Sequence, residues 1–238
     1  MRKQLTTVNG NISPLSLIHS GVPQGSILGP LLFIMMMNDL PNVVKKSKVS
    51  LYADDTCLYF AARDPMELQT TLNHELSLLN EWFFHNHLLL NVNKSKYILI
   101  GTKSALRKCT NIGININGIM LERVNTCKYL GVQIDENLNW KSQINQVRIK
   151  ANGSFQLLKR VRTFIDYDTA LLVYKTIIQP HFDYCSIIWM NGNSTDLQRL
   201  QILQNRALRV VLGVDARYNR EALYNTVGVD RLEERCRA

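Results

Sequence analysis

Two adjacent acids set the first constraint on this chain. Asp54 and Asp55 sit inside Leu51-Tyr52-Ala53-Asp54-Asp55-Thr56, led in by Val49 and Leu51 and led out by Cys57, Leu58, Tyr59 and Phe60. β-branched, aromatic and aliphatic residues on both sides of a short polar break read as a hairpin with the acids at its tip. Neighbouring carboxylates repel, and burying them without a cation is costly. A bound Mg²⁺ relieves that repulsion, and oxygen donors suit it. The same pattern also fits two solvated turn residues, for which aspartate is a common choice.

Around this hairpin the chain reads as mixed strand and helix. Gln4–Val8 and Ile12–Ile18 form strands about an Asn9-Gly10-Asn11 turn, so the sequence starts almost on a strand. Ser20-Gly21-Val22-Pro23-Gln24-Gly25-Ser26 follows, and Gly29-Pro30 opens a helix over Leu31–Leu40 that stops at Pro41. Such a loop can turn its backbone N–H groups toward phosphate, or it can be a plain turn. Asp64-Pro65-Met66-Glu67 carries an N-cap, a Pro at the first helical position and a Glu two residues later. Leu68, Leu72, Leu76, Leu79 and Phe83 then mark a buried helical face. His74, His85 and His87 lack metal-ligand spacing and read as surface residues.

Strands return before Gly101, in a hairpin about Asn117-Gly118, and in Lys128–Ile134. From Asn139 the period becomes helical: Ile144, Val147, Ala151, Leu158, Val161 and Ile165 share one face. Arg148, Lys150, Lys159, Arg160 and Arg162 decorate the remainder, with no acid between Lys141 and Ile165. A one-sign basic run is either a solvated face or a surface for backbone phosphates. Helices near Asp168–Ile178 and Thr195–Leu212 follow, with Phe182, Tyr184 and Trp189 between them read as packing residues. The change from mixed strands to helix alone divides the chain into 1–135 and 136–238.

Charge agrees with a polyanionic partner. The formal net charge is +9 with an isoelectric point near 9.4, which favours nucleic acid or an anionic membrane surface. No apolar run reaches the ~18 residues that a spanning helix needs, which argues against a membrane protein. Five cysteines without a CxxC pair suit a reducing, intracellular setting over a disulfide framework.

In order and spacing these stretches resemble the reverse transcriptases of non-LTR (LINE-type) retrotransposons. Ser20–Ser26 is similar to that family's motif B, and Tyr52-Ala53-Asp54-Asp55 to its motif C. Asn91 with Lys94-Ser95 looks like motif D. Lys128–Val132, with Asp135, Leu138 and Trp140 after it, looks like motif E running into the thumb. Tyr174, Pro180, Tyr184, Trp189 and Leu200–Arg209 are similar to the helical region that follows. The resemblance implies an α+β fold, a right-hand polymerase palm over 1–135 and a helical thumb-like region over 136–238. It implies RNA-directed DNA polymerase activity on an RNA template and DNA primer with an incoming dNTP, using Mg²⁺ or Mn²⁺.

By carry-over, Asp54 and Asp55 are metal ligands and Lys94 is a general acid near the phosphates. Gly21, Pro23, Gln24 and Gly25 border the nucleotide and template. Tyr129, Leu130 and Gly131 support the primer end, and Arg148, Lys150, Lys159, Arg160 and Arg162 hold the duplex backbone. The family pattern also requires an upstream motif A aspartate, and residues 1–19 contain no Asp or Glu. The chain therefore reads as a C-terminal piece of a polymerase, inactive alone, with a hairpin edge open to a second copy. A non-catalytic nucleic-acid-binding remnant is the alternative. A viral RNA-dependent RNA polymerase fits poorly without Gly-Asp-Asp; a group II intron maturase shares similar palm motifs but matches the helical tail less well.

Overall fold

A computed structural model describes residues 2–18, 21–22, 25–192 and 194–235, which fall into two compact units. One comprises residues 1–94 with 111–121, and the other comprises residues 95–110 with 122–238. Both mix helix with short paired strands, as the α+β reading expects.

The first unit opens on an interrupted hairpin in which Arg2–Gln4 pairs with Ser16–Ile18 and Thr7–Val8 with Asn11–Ile12. Helix α1, Leu28–Met37, begins where the Ser26 hydroxyl accepts from the Gly29 amide at 2.9 Å. It carries Pro30 in its first turn, where a missing N–H costs nothing. Leu28, Leu31, Leu32, Ile34 and Met35 are all exposed along it. Helix α2, Pro65–His85, starts as its sequence dictates: the Asp64 carboxylate accepts from the amides of Met66 and Glu67. Its most buried line, however, is Thr71, Glu75, Leu79 and Phe83. Apolar periodicity alone does not find that line, because Glu75 occupies the middle of it. Met37, Leu40, Leu79 and Phe83 form this unit's core. Asn115–Ile116 and Ile119–Met120 close a hairpin over Asn117 and Gly118, both at positive φ, and α2 holds it through Asn73 and Gln69.

The second unit starts with Lys96–Tyr97 in parallel register with Glu122–Arg123, and with α3, Lys103–Lys108. The expected single strand Lys128–Ile134 is instead a hairpin, Thr126–Tyr129 against Val132–Asp135. Leu130 and Gly131 make the two-residue turn at φ 44° and 85°. Two consecutive left-handed residues reverse the chain inside what reads as a single strand.

The Asp135 carboxylate, 7% exposed, then accepts from the amides of Asn137, Asn139 and Trp140. These bonds hold a bend in which Leu138 and Trp140 both take positive φ. They launch α4, Lys141–Val161, which buries Gln143, Ile144, Val147, Ala151, Phe155 and Leu158. Helix α5, Tyr167–Val173, continues through a π-helical turn, Tyr174–Ile178, into α6, Gln179–Asp183. The wide turn falls immediately before Pro180, which has no N–H to donate. Helices α7, Ser186–Trp189, α8, Ser194–Leu212, α9, Arg220–Val227, and α10, Leu232–Arg235, complete the unit.

Tyr174, Phe182, Trp189, Leu200 and Leu208 are fully enclosed in the second unit's core. Burying side chains of this size stabilises by about 2–3 kcal/mol each. Gln204 lies among them, donating to the Tyr174 hydroxyl and to the Asp230 carbonyl while accepting from Tyr224. A buried amide is tolerable there because both ends of it are paired.

Candidate functional site

The acidic hairpin is short and tightly specified. Lys48–Tyr52 pairs with Asp55–Tyr59, with Tyr52 opposite Asp55 and only Ala53 and Asp54 between them. Ala53 turns the corner at φ 51°, a conformation disfavoured for a residue with a Cβ. Asp54 and Asp55 are exposed at the tip, and the two strands pair only with each other among the described residues. Two carboxylates on one turn supply hard oxygen donors of the kind that Mg²⁺ and Mn²⁺ accept. No group of three or more His, Cys, Asp or Glu gathers among the described residues. Two adjacent carboxylates fit such an ion in donor type, and by themselves make only part of a donor set.

Lys94 ends a 3₁₀ turn, Val92–Lys94, and is exposed. Its amide donates to the Asn91 side chain and main-chain carbonyl, so Asn91 shapes the turn that presents the lysine. Gly21 and Gly25 both lie at φ 82° with open space where a Cβ would stand. Pro23 and Gln24, like Ser20, lie outside the described residues. None of the helices is long and apolar enough to cross a membrane among the described residues.

In the second unit, Tyr129, Leu130 and Gly131 occupy one end of the Thr126–Asp135 hairpin, where Leu130 and Gly131 make the turn. Tyr184, read as a packing residue, is 54% exposed, and its phenol donates to the Leu130 carbonyl at 2.6 Å. The indole of Trp189 in turn donates to the Tyr184 carbonyl at 2.9 Å. The hairpin is tied to α4 by the Gln133 amide, which donates to the buried Gln143 side chain. An open cleft of about 410 Å³ follows, lined by Lys128, Gly131, Gln143, Lys150, His181 and Tyr184. Partial burial lowers the His181 pKa, and the Lys150 ammonium lowers it further.

The five basic residues singled out in and after α4 do not form one strip. Arg148 and Lys150 are two residues apart, about 200° around the helix, and line different clefts. Lys159 and Arg160 are exposed near the end of α4. Arg162 is tied to the protein itself: its guanidinium donates to the carbonyls of Val210, Val211 and Ile165. Sequence reasoning missed the role of Tyr184 at the turn and of Lys128 in the cleft. No local signal could have linked Tyr184 to Leu130, which lies 54 residues away.

Comparison with known proteins agrees with the motifs. Residues 1–134 match the family model described as reverse transcriptase (RNA-dependent DNA polymerase). The chain is 26% identical over 206 residues to the probable RNA-directed DNA polymerase from transposon X-element of Drosophila melanogaster, covering 83% of this chain and 22% of that protein. It is 28% identical over 222 residues to the RNA-directed DNA polymerase from mobile element jockey of Drosophila funebris, covering 89% of this chain and 24% of that one. A third relative is the Retrovirus-related Pol polyprotein from type-1 retrotransposable element R1 of Bradysia coprophila, 26% identical over 219 residues, 90% of this chain and 21% of the polyprotein. The chain thus spans about a quarter of the length of these relatives. Its motifs, the matched region and these relatives together place it in the reverse transcriptase family, in the non-LTR, LINE-type retrotransposon group.

Proposed function

We propose that this chain forms part of an RNA-directed DNA polymerase, supplying one carboxylate turn of its metal site and a surface that grips the template–primer duplex. The observation that carries the reading is the Tyr52–Asp55 turn, which holds two exposed acids within the region matched by the family. Residues 1–135 act as the palm portion and 136–238 as the thumb-like portion.

Asp54 and Asp55 hold the divalent cation, Mg²⁺ or Mn²⁺. When bound, that ion would supply one half of a two-metal clamp on the attacking and leaving oxygens, the other half needing carboxylates beyond this turn. Lys94, presented by its 3₁₀ turn, places an ammonium proton near the departing phosphates. The open backbone at Gly21 and Gly25, with Pro23 and Gln24, borders the nucleotide and the template base. Tyr129, Leu130 and Gly131 meet the primer strand, and Lys150, Lys159 and Arg160 meet duplex phosphates, while Arg148 faces the other side of α4. Arg162, bonded to three carbonyls, contributes chiefly by fixing the end of α4 against α8.

Titration of a fluorescent RNA–DNA template–primer duplex with the chain tests this reading. Binding is expected to weaken steeply as salt rises. Mg²⁺ together with the templated dNTP should tighten it, and Asp54→Ala should abolish that gain. Salt-insensitive binding, or an equal gain in Asp54→Ala, would overturn the proposal.

A further inference from the structure

Helices α4 and α8 leave a second groove on the side of α4 away from Lys150. Its walls carry Arg148 on α4, with Arg199 and Arg206 on α8, and Ile149, Ile202 and Leu203 lie between them. The groove encloses about 370 Å³, and Lys141 extends its cationic rim toward the start of α4. Asp196 lies at that end, and Arg199 already pairs with it at 3.0 Å. Three arginines therefore face a strip that is mainly apolar, with Asn152 beside it: Ile149 is 55% exposed and Ile202 is 54% exposed.

That combination discriminates between anions. A duplex presents phosphate ridges outward and keeps its bases stacked inside, so exposed isoleucines between arginines would face charge and gain nothing. A single strand offers phosphates and unstacked base faces together, which matches cations flanking an apolar floor. Arg206 adds a preset platform, since its guanidinium lies over the Phe155 ring, 5.4 Å from the centroid. A guanidinium held over an aromatic ring is also a group on which an unstacked base can rest. We propose that the α4–α8 groove binds single-stranded nucleic acid, through backbone phosphates on Arg148, Arg199 and Arg206 and base faces on Ile149, Ile202 and Arg206. This rests on the reading of the chain as a nucleic-acid-handling protein, and the site is separate from the Lys128–Lys150 cleft. The chemistry is shared by RNA and DNA single strands.

Fluorescence anisotropy with oligo(rU), oligo(dT) and an RNA–DNA heteroduplex tests it on the full chain. Arg199→Ala with Arg206→Ala should weaken binding of the single strands about tenfold and reduce their log–log salt slope by about 1.4, or ~0.7 per lost phosphate contact. Ile202→Ser should weaken them about fivefold with no change in slope, because it removes apolar surface and no charge. Heteroduplex affinity should move by less than about twofold in Ile202→Ser. Circular dichroism melts compare the folding of each variant, and Ile202→Ser alone decides between the outcomes if the arginine pair unfolds. Equal losses for single strands and heteroduplex, or unchanged single-strand binding in Ile202→Ser, would overturn the groove while leaving the duplex reading intact. If the unsubstituted chain binds anionic vesicles but no oligonucleotide, both readings fall. A loss confined to oligo(rU) or to oligo(dT) would contradict a site that reads phosphate and base face alone.

Discussion

The phenol of Tyr184 donates a 2.6 Å hydrogen bond to the carbonyl of Leu130, closing a turn 54 residues away in sequence. The turn needs the support, since Leu130 adopts φ 44° despite its Cβ. Tyr184→Phe should loosen the Leu130–Val132 amides by about 1 kcal/mol in hydrogen exchange. Gly131→Ala should loosen them by about as much again, because a Cβ there meets both the left-handed φ of 85° and the Tyr184 ring at 3.3 Å. Unchanged exchange in Tyr184→Phe would show that the bond does not hold the turn.

Asp135 organises the passage from that hairpin into α4. Its carboxylate accepts three main-chain amides, of Asn137, Asn139 and Trp140. Asp135→Ala should cost about 3 kcal/mol, with Asp135→Asn costing less because one acceptor oxygen survives. Urea unfolding followed by the second unit's tryptophans reads both. A loss under about 1 kcal/mol for Asp135→Ala would contradict this assignment.

Glu75, 2% exposed, plays the matching part in the first unit, accepting from the amides of Lys45, Lys46 and Ser47. Burial alone would raise its pKa, but the Ser47 hydroxyl beside it and these amides outweigh burial and lower it from the ordinary 4.5. A depressed carboxyl pKa stabilises the fold fully above the ordinary value and loses that contribution as pH falls through the lower, folded one. Glu75→Gln should therefore destabilise the first unit at neutral pH and flatten its acid unfolding curve. Parallel acid curves for the two proteins would contradict this.

At the alkaline end the second unit should respond. Burial pushes the Tyr174 phenol up to about 12, partly offset by the Gln204 amide that donates to it. Burial also raises Tyr224. A raised phenol pKa means the neutral form is favoured in the fold, so its contribution is complete below pH 10 and lost as pH rises toward about 12. Phenolate absorbance should show a late step that Tyr174→Phe diminishes. Simultaneous titration of all nine tyrosines near their ordinary value would contradict it.

Several elements were legible because their signals are local. Asp64-Pro65 set the start of α2, and the brief polar break at Ala53–Asp54 set the acidic hairpin. Glu75 was hidden because an acid in the middle of a buried face defeats apolar periodicity, and its reason lies in amides 28 to 30 residues away. The Leu130-Gly131 reversal was hidden inside a stretch that reads as one strand, where Gly131 alone hints at a break and the positive φ of Leu130 leaves no local mark. The basic residues of α4 were visible as charge, but their division between two grooves depends on helical phase and on the partner arginines of α8.

The most direct measurement places a metal at the acidic turn. With template–primer and nucleotide bound, Mn²⁺ added to the labelled chain should broaden the amide signals of Tyr52–Thr56 before others, and Asp54→Asn should restore them. Broadening centred elsewhere, or persisting unchanged in Asp54→Asn, would contradict the assignment of Asp54 and Asp55 as metal ligands.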